Sequence, residues 1–429
     1  MKKYRIIVFP CGSEIGLEIY RSLKYSAHIE LIGANSINDH GKFVYDNYID
    51  NVPFVDAADF IDKISELVRK LKIDAIFPAM DKVLWKLKSN ENRIGCKVIS
   101  SPLKTAEICL SKKKTYSFLK DEIKVPAVYR DLNHIIKFPV FVKPDIGYGS
   151  RNVFQAENKA ELDSFFTNKR NLNDYVISEY LTGDEYTIDC FTDKNGVLRF
   201  AGARIRKRIL NGISVNTKPV ADNSEYKAIA EKINRKLKFR GAWFFQLKRD
   251  HNNELTLLEI ASRPGGASAL YRAKGINFAL LSIYDAFDHN VEILENDFSI
   301  ELDRALDNKY IIDIEYKTIY VDFDDCLVIN GEINYELVSF LYKAINNNKE
   351  VILLSKHSGN LKHELKKYRL DKIFDQIIHI SKNDNKYEYI SSLSAIFIDD
   401  SFSERKEVKI KKSIITFDTE AIPMLIQNL

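Results

Sequence analysis

The sequence predicts a multidomain protein of mixed α/β and α+β class, with a parallel α/β domain at each end and an α+β domain between them. Three observations carry this. Short apolar runs alternate with segments of helical periodicity from Tyr4 to Pro78. In the middle, extended runs group into hairpins around polar turns, and near Lys317 strict alternation returns. The 429 residues fit roughly two to four domains of ordinary size.

In the first domain, placed at 1–103, Tyr4 to Phe9 reads as a strand, Pro10 to Ser13 as a turn, and Ile15, Ile19 and Leu23 recur at helical spacing. Ile29 to Gly33 is a second strand. Phe60, Ile64, Leu67, Val68 and Leu71 mark a helix before a third strand, Ala75 to Pro78. The middle domain, 104–300, holds strands at Phe138 to Lys143, Val153 to Ala156, Tyr175 to Leu181, Glu185 to Thr192 and Leu198 to Arg208. A helix from Glu225 to Lys238 then precedes strands Ala242 to Arg249 and Glu254 to Ile260. The charged segment Glu295 to Asn308 reads as a linker. In the last domain, 315–429, strands end at Asp322, Leu354 and Ile398, with helices at Tyr335 to Ile345 and Leu361 to Tyr368.

Composition excludes several classes. Basic residues number 64 against 60 acidic, a net charge of +4, so no electrostatic excess points to nucleic acid. Apolar content of 45% is too high for an unfolded chain, and no apolar run approaches a membrane span. Met1-Lys2-Lys3 is followed by too short an apolar run for a signal peptide, and Cys11, Cys96, Cys109, Cys190 and Cys326 lack paired spacing. A reducing cytoplasm is the expected setting.

Asp250 to Glu254 is a polar turn between two apolar strands. With Asn252 and Asn253 as its loop residues, Leu247 pairs with Leu258 and Gln246 with Glu259. An amide oxygen and a carboxylate would then stand about 5 Å apart at Cβ, an arrangement that suits a hard cation as well as an ordinary cross-strand pair. Lys143 ends a buried strand, and the glycine-bearing loop Asp145 to Asn152 follows it. Backbone N–H groups of such a loop can approach phosphate oxygens. Glu179 and Glu185 close another strand. Arg204, Arg206 and Arg208 alternate on one predicted face, either a solvated face or a site for an anionic substrate, with Arg204 and Arg206 favoured. Asp81 and the Gly12-Ser13 turn sit at strand ends of the first domain, where they could meet the same substrate.

Taken in order, these segments resemble the ATP-grasp superfamily, of the carbamoyl-phosphate-synthase-like kind, over about residues 1 to 290. The resemblance implies nucleotide-binding roles for Lys112 (with Lys113 as the other register) and Lys143, and a phosphate-covering loop at Gly147, Gly149, Ser150 and Arg151. It implies an adenine hinge at Glu179, Tyr180 and Leu181, a ribose acid at Glu185, and magnesium ligands at Gln246 and Glu259. Arg263 matches the arginine that stabilises charge on an acyl phosphate. Ala261 stands where the family has Asn, which removes a protein ligand from a second magnesium.

In the last domain Asp322 and Asp324, Ser355, and Asp399 with Asp400 fall at three strand ends that a parallel sheet brings to one edge. Gathered carboxylates repel unless a cation holds them, so Mg²⁺ is implied. The pattern resembles the haloacid dehalogenase-like phosphatases, in a Rossmannoid domain without a large cap. The resemblance implies Asp322 as nucleophile, Asp324 as acid/base and Ser355 as phosphoryl-holding hydroxyl. Lys386 (or Lys382) matches the charge-balancing lysine, and Asp399 and Asp400 the metal acids, with Asp322 and Asp324 also counted as ligands. Asp325-Cys326 replaces the family's Gly-Thr, so slowed turnover is expected.

The expected protein is therefore an ATP-dependent ligase joining a small-molecule carboxylate to an amine or thiol, fused to a magnesium phosphatase. ATP and Mg²⁺, or Mn²⁺, are the expected cofactors, and neither nucleic acid nor membrane is an expected partner. The alternatives are a kinase or carbamoyl-phosphate-type activity and a non-catalytic nucleotide-binding protein. Oligomeric state is not indicated.

Overall fold

The structure is a computed structural model that describes residues 3–147, 149, 151–167, 171–306, 310 and 312–427. Contacts divide the chain into two compact units, Met1–Leu306 and Asp307–Leu429.

The first unit opens with a five-stranded parallel sheet. Its order runs Tyr48–Ile49, Ile29–Ala34, Tyr4–Phe9, Ala75–Pro78, Lys97–Val98. Ser13, at the end of the turn read from the sequence, caps the helix Glu14–Leu23 by accepting from the Gly16 N–H. The helix Phe60–Leu71 buries Phe60, Ile61, Ile64, Leu67 and Val68 and ends at Lys72, whose left-handed φ of 52° stops it.

Two antiparallel sheets follow. A four-stranded sheet orders Val128–Tyr129, Tyr175–Glu179, Val140–Pro144 and Phe154–Ala156. A six-stranded one orders Leu255–Ala261, Gly241–Arg249, Glu185–Thr192, Leu198–Leu210, Ile213–Pro219 and Leu302–Asp303. The helix Ser224–Lys236 buries Tyr226, Ala230 and Ile233 in the core that this sheet forms with Trp243, Phe245 and Leu247. Two features go beyond the expectation. Asn211 and Gly212, both at positive φ, turn the chain into Ile213–Pro219. Part of the expected linker belongs to the first unit: Leu302–Asp303 pairs with Asn216 and Thr217, and Arg304 is bonded to Glu14.

The second unit is a five-stranded parallel sheet ordered Gln376–His379, Glu350–Ser355, Thr318–Val321, Ala395–Ile398, Ile415–Phe417. Val321 is in register with both Leu353 and Ile398, so the three strands read from the sequence end together. Between Cys326 and Ser355 lie one helix, Tyr335–Asn346, and a small hairpin of Val328–Ile329 and Glu332–Ile333. No described helix is long and apolar enough to cross a membrane.

Candidate functional site

In the first unit, Gln246 and Glu259 are direct cross-strand partners. The expected pairing of Leu247 with Leu258 is corrected: the ladder slips after Gln246, and Leu247 faces Leu257. The slip absorbs one residue as a bulge on the turn side and leaves Gln246 and Glu259 opposed. The row continues across the sheet through Thr187 to Arg204, so these side chains share one face. Among the described residues the Glu259 side chain makes no hydrogen bond or ion pair. A half-buried carboxylate left open beside an amide oxygen fits a divalent cation.

Lys143 ends the strand Val140–Pro144, 7% exposed, with its Nζ donating to the Leu258 carbonyl at 3.2 Å and lying 5.4 Å over the Tyr116 ring. Burial pulls its ammonium down to about 8, against the opposing charges of Glu259 and Glu185. Lys112 opens the helix Lys112–Leu119, its Nζ 3.3 Å from the Gly147 carbonyl and 3.4 Å from that of Asp145. Burial lowers its pKa too, and Glu259 again opposes. Lys113 instead donates to the Asn173 carbonyl at 2.7 Å, so Lys112 is the lysine that shares the field of Glu259 and Lys143. Gly147 and Gly149 lie in the loop after Lys143, Gly149 with φ of 62°, and Arg151 is exposed there. Ser150 lies outside the described residues.

Glu179 accepts the Ala127 N–H at 2.9 Å, Tyr180 lies beneath Lys248 at 5.6 Å, and Leu181 is buried. Glu185 is ion-paired to Arg206, which also reaches Gln246 Oε1 at 3.3 Å and the Gly212 carbonyl at 2.7 Å. Arg206 therefore bridges the expected ribose acid and an expected metal ligand. The three arginines part company. Arg204 is 2% exposed and donates to Asp189 at 2.6 Å, whereas Arg208 follows a register shift and pairs with Asp303 at 2.9 Å. Arg263 Nη2 donates to Asp81 at 2.6 Å and its guanidinium lies 5.3 Å over Phe244. Ala261, opposite Phe244, offers no ligand. Tyr116, under Lys143 and donating to the Leu258 carbonyl at 2.6 Å from the helix Lys112–Leu119, carries no signal in the sequence for this place.

In the second unit, Asp322, Asp399 and Asp400 bring one carboxylate oxygen each within 4.8 Å of one another. Lys386, 2% exposed, lies 2.6 Å from Asp399 and 3.0 Å from Asp322. Of the two expected lysines, Lys386 is the one beside the carboxylates, and Lys382 is exposed. Burial depresses the Lys386 ammonium, but Asp322 and Asp399 more than offset it and its pKa is raised. Burial raises Asp399 to about 6, with Asp322 adding to the rise and Lys386 opposing it. Three carboxylates against one ammonium leave a deficit of positive charge that fits Mg²⁺.

Asp324 corrects one expectation: its carboxylate lies outside this trio, turned to His357 Nδ1 at 2.9 Å. Its half-exposed position at the start of a turn aims it outward. Ser355 is fully buried at its strand end and its Oγ accepts the His357 N–H at 3.2 Å. Asp325 adopts φ of 52°, the left-handed conformation that Asp tolerates where the related pattern has Gly. Cys326 is fully buried, and burial pushes its thiol far above the usual range. Arg405, donating to the carbonyls of Asp399 and Asp400, had no signal in the sequence.

Residues 171–304 match the family described as ATP-grasp in the biosynthetic pathway with Ter operon. Over 187 residues, 40% of this chain, the sequence is 28% identical to a D-alanine–D-alanine ligase of Fusobacterium nucleatum, and the match spans 62% of that ligase, under two thirds of its length. The biotin carboxylase domain of the 2-oxoglutarate carboxylase of Hydrogenobacter thermophilus, in complex with MgADP, ADP and bicarbonate, superposes with a TM-score of 0.58 at 17% identity, covering 69% of this chain and 72% of that one. N5-carboxyaminoimidazole synthetase of Staphylococcus aureus complexed with ADP gives 0.56 at 17% identity, covering 68% and 80%. The part of the chain that these structures cover shares their fold, and within it residues 171–304 match an ATP-grasp family model.

Proposed function

We propose that the first unit is an ADP-forming ligase that activates a small-molecule carboxylate and joins it to an amine or thiol. The observation that carries this reading is Glu259 opposite Gln246, its carboxylate without a partner among the described residues, in the field of the buried Lys143 and the half-buried Lys112. A bound cation together with a polyphosphate would satisfy all four groups. Gln246 and Glu259 would hold Mg²⁺, which supplies charge neutralisation for the phosphates when bound. Lys143 and Lys112 would bind phosphate oxygens, and Arg263 would face the negative charge that develops as phosphate transfers to the carboxylate. The likeness to a D-alanine–D-alanine ligase supports an amine as acceptor. ADP release by the full chain, measured against a matrix of acids and amines with ATP and Mg²⁺, tests it. ADP formed only with both substrates supports the ligase, and ADP formed with the acid alone favours release of an acyl phosphate.

For the second unit we propose a magnesium-dependent phosphomonoester hydrolase. The trio of Asp322, Asp399 and Asp400 with Lys386 supports it. Asp322 would attack phosphorus, Ser355 would hold the phosphoryl oxygens and Asp324 would exchange protons with leaving group and water. Orthophosphate release from phosphomonoesters, abolished by Asp322→Asn, is the test.

A further inference from the structure

We propose that His357 is the positioning residue for Asp324, holding the carboxyl that moves protons in the second unit; the proposal rests on the phosphatase reading. The Asp324 side chain is 51% exposed. A carboxyl that open samples several rotamers unless something fixes it. Among the described residues both of its side-chain hydrogen bonds go to one atom, His357 Nδ1, at 2.9 and 3.0 Å. A carboxylate can only accept, so Nδ1 carries the proton.

His357 is itself held by one contact of its ring and two bonds of its main chain, with its side chain 15% exposed. Its ring meets Phe323 edge-on at 5.3 Å, its backbone N–H donates to Ser355 Oγ at 3.2 Å, and its carbonyl accepts from His379 Nε2 at 2.7 Å. Phe323 is flanked by Asp322 and Asp324, so His357 is tied to the nucleophile's own segment and to the hydroxyl expected to hold phosphate. That linkage sets where Asp324 stands relative to the reacting phosphorus.

In the first step an Asp322 oxygen bonds to phosphorus, and the bond from phosphorus to the leaving oxygen breaks with its electron pair on that oxygen. The Asp324 carboxyl proton passes to it. In the second step a water oxygen attacks phosphorus and its proton passes to the Asp324 carboxylate. Orthophosphate then leaves and Asp322 returns to a carboxylate. In both steps one Asp324 oxygen handles the proton while the other keeps the Nδ1–H bond.

The experiment compares p-nitrophenyl phosphate, whose leaving group departs without a proton, with glycerol phosphate, whose alkoxide needs one. Full-length protein with Mg²⁺ is assayed for steady-state rates and for acid-quenched phosphoenzyme. His357→Ala is expected to keep a p-nitrophenol burst followed by slow turnover, and to lose about 10- to 100-fold in kcat on glycerol phosphate with no burst and KM unchanged. His357→Asn, which keeps an N–H near the Nδ1 position, is expected to recover most of the loss. Equal losses on both substrates without a burst, no loss at all, or an Asn variant as slow as Ala would overturn the proposal. A wild-type protein inert toward both esters would overturn the phosphatase reading itself and take this proposal with it.

Discussion

Gln246 and Glu259 stay opposed across their hairpin although the ladder slips by one residue immediately beyond Gln246. The pair proposed to hold a cation is thus insulated from the irregular turn that closes the ribbon. If the two hold one ion, they should not act independently. Gln246→Ala and Glu259→Gln are each expected to raise the Mg²⁺ concentration that half-saturates nucleotide binding. The double variant should fall short of the summed effects by about 1 kcal/mol or more. A double-mutant cycle on Mg²⁺ titrations reads this coupling, and strict additivity would separate the two residues.

Lys143 gives nucleotide binding a pH signature. Burial holds its ammonium near 8 in the free protein, and a polyphosphate beside it must raise that value. Below about pH 7 the lysine is already charged and affinity is flat; above 8 binding takes up a proton and weakens by up to about tenfold per pH unit. Calorimetry in buffers of different ionisation enthalpy measures the uptake. Lys143→Met should abolish it.

Asp250 should matter in acid. Burial pushes its carboxyl up, but Lys124 and the N–H groups of Asn252 and Glu254 bring it down to about 2 from 3.8. A depressed carboxylate pKa stabilises the fold fully above about pH 4, and the contribution is lost as pH falls through 2. The shift corresponds to about 2 kcal/mol at neutral pH. Asp250→Ala is expected to lower the neutral-pH melting temperature of the first unit and to flatten its decline between pH 4 and 2.

Lys386 is the one cation inside the carboxylate trio among the described residues. Lys386→Met leaves buried negative charge unpaired and should destabilise the second unit by about 3–5 kcal/mol in the presence of EDTA. Mg²⁺ should recover more stability in the variant than it adds to wild type. Thermal melts of both proteins with and without the metal check this, and equal Mg²⁺ shifts would argue against an ion at the trio.

Much of this architecture is written in local pattern. Apolar alternation marks the strands that carry Lys143, Gln246 and Glu259, and the second unit's three carboxylate-bearing strand ends fall into register because a parallel sheet aligns them. Asn211-Gly212 was an equally strong hairpin signal, and reading it yields the strand Ile213–Pro219. What escaped the sequence was long-range pairing. Nothing local says that Asp81 takes Arg263, that Arg206 takes Glu185, or that Asp324 turns to His357. The edge strand Leu302–Asp303 is too short and charged to announce itself, and it exists because Ile213–Pro219 offers it an open edge.

The most direct test is calorimetric titration of the full chain with ADP in excess Mg²⁺, beside Lys143→Ala and Asp322→Asn. The expected result is one nucleotide per chain, with affinity lost by at least about tenfold in Lys143→Ala, the cost of one charge-assisted phosphate contact, and unchanged in Asp322→Asn. Absence of binding, or binding that survives Lys143→Ala and disappears in Asp322→Asn, would contradict a nucleotide site built on Gln246 and Glu259.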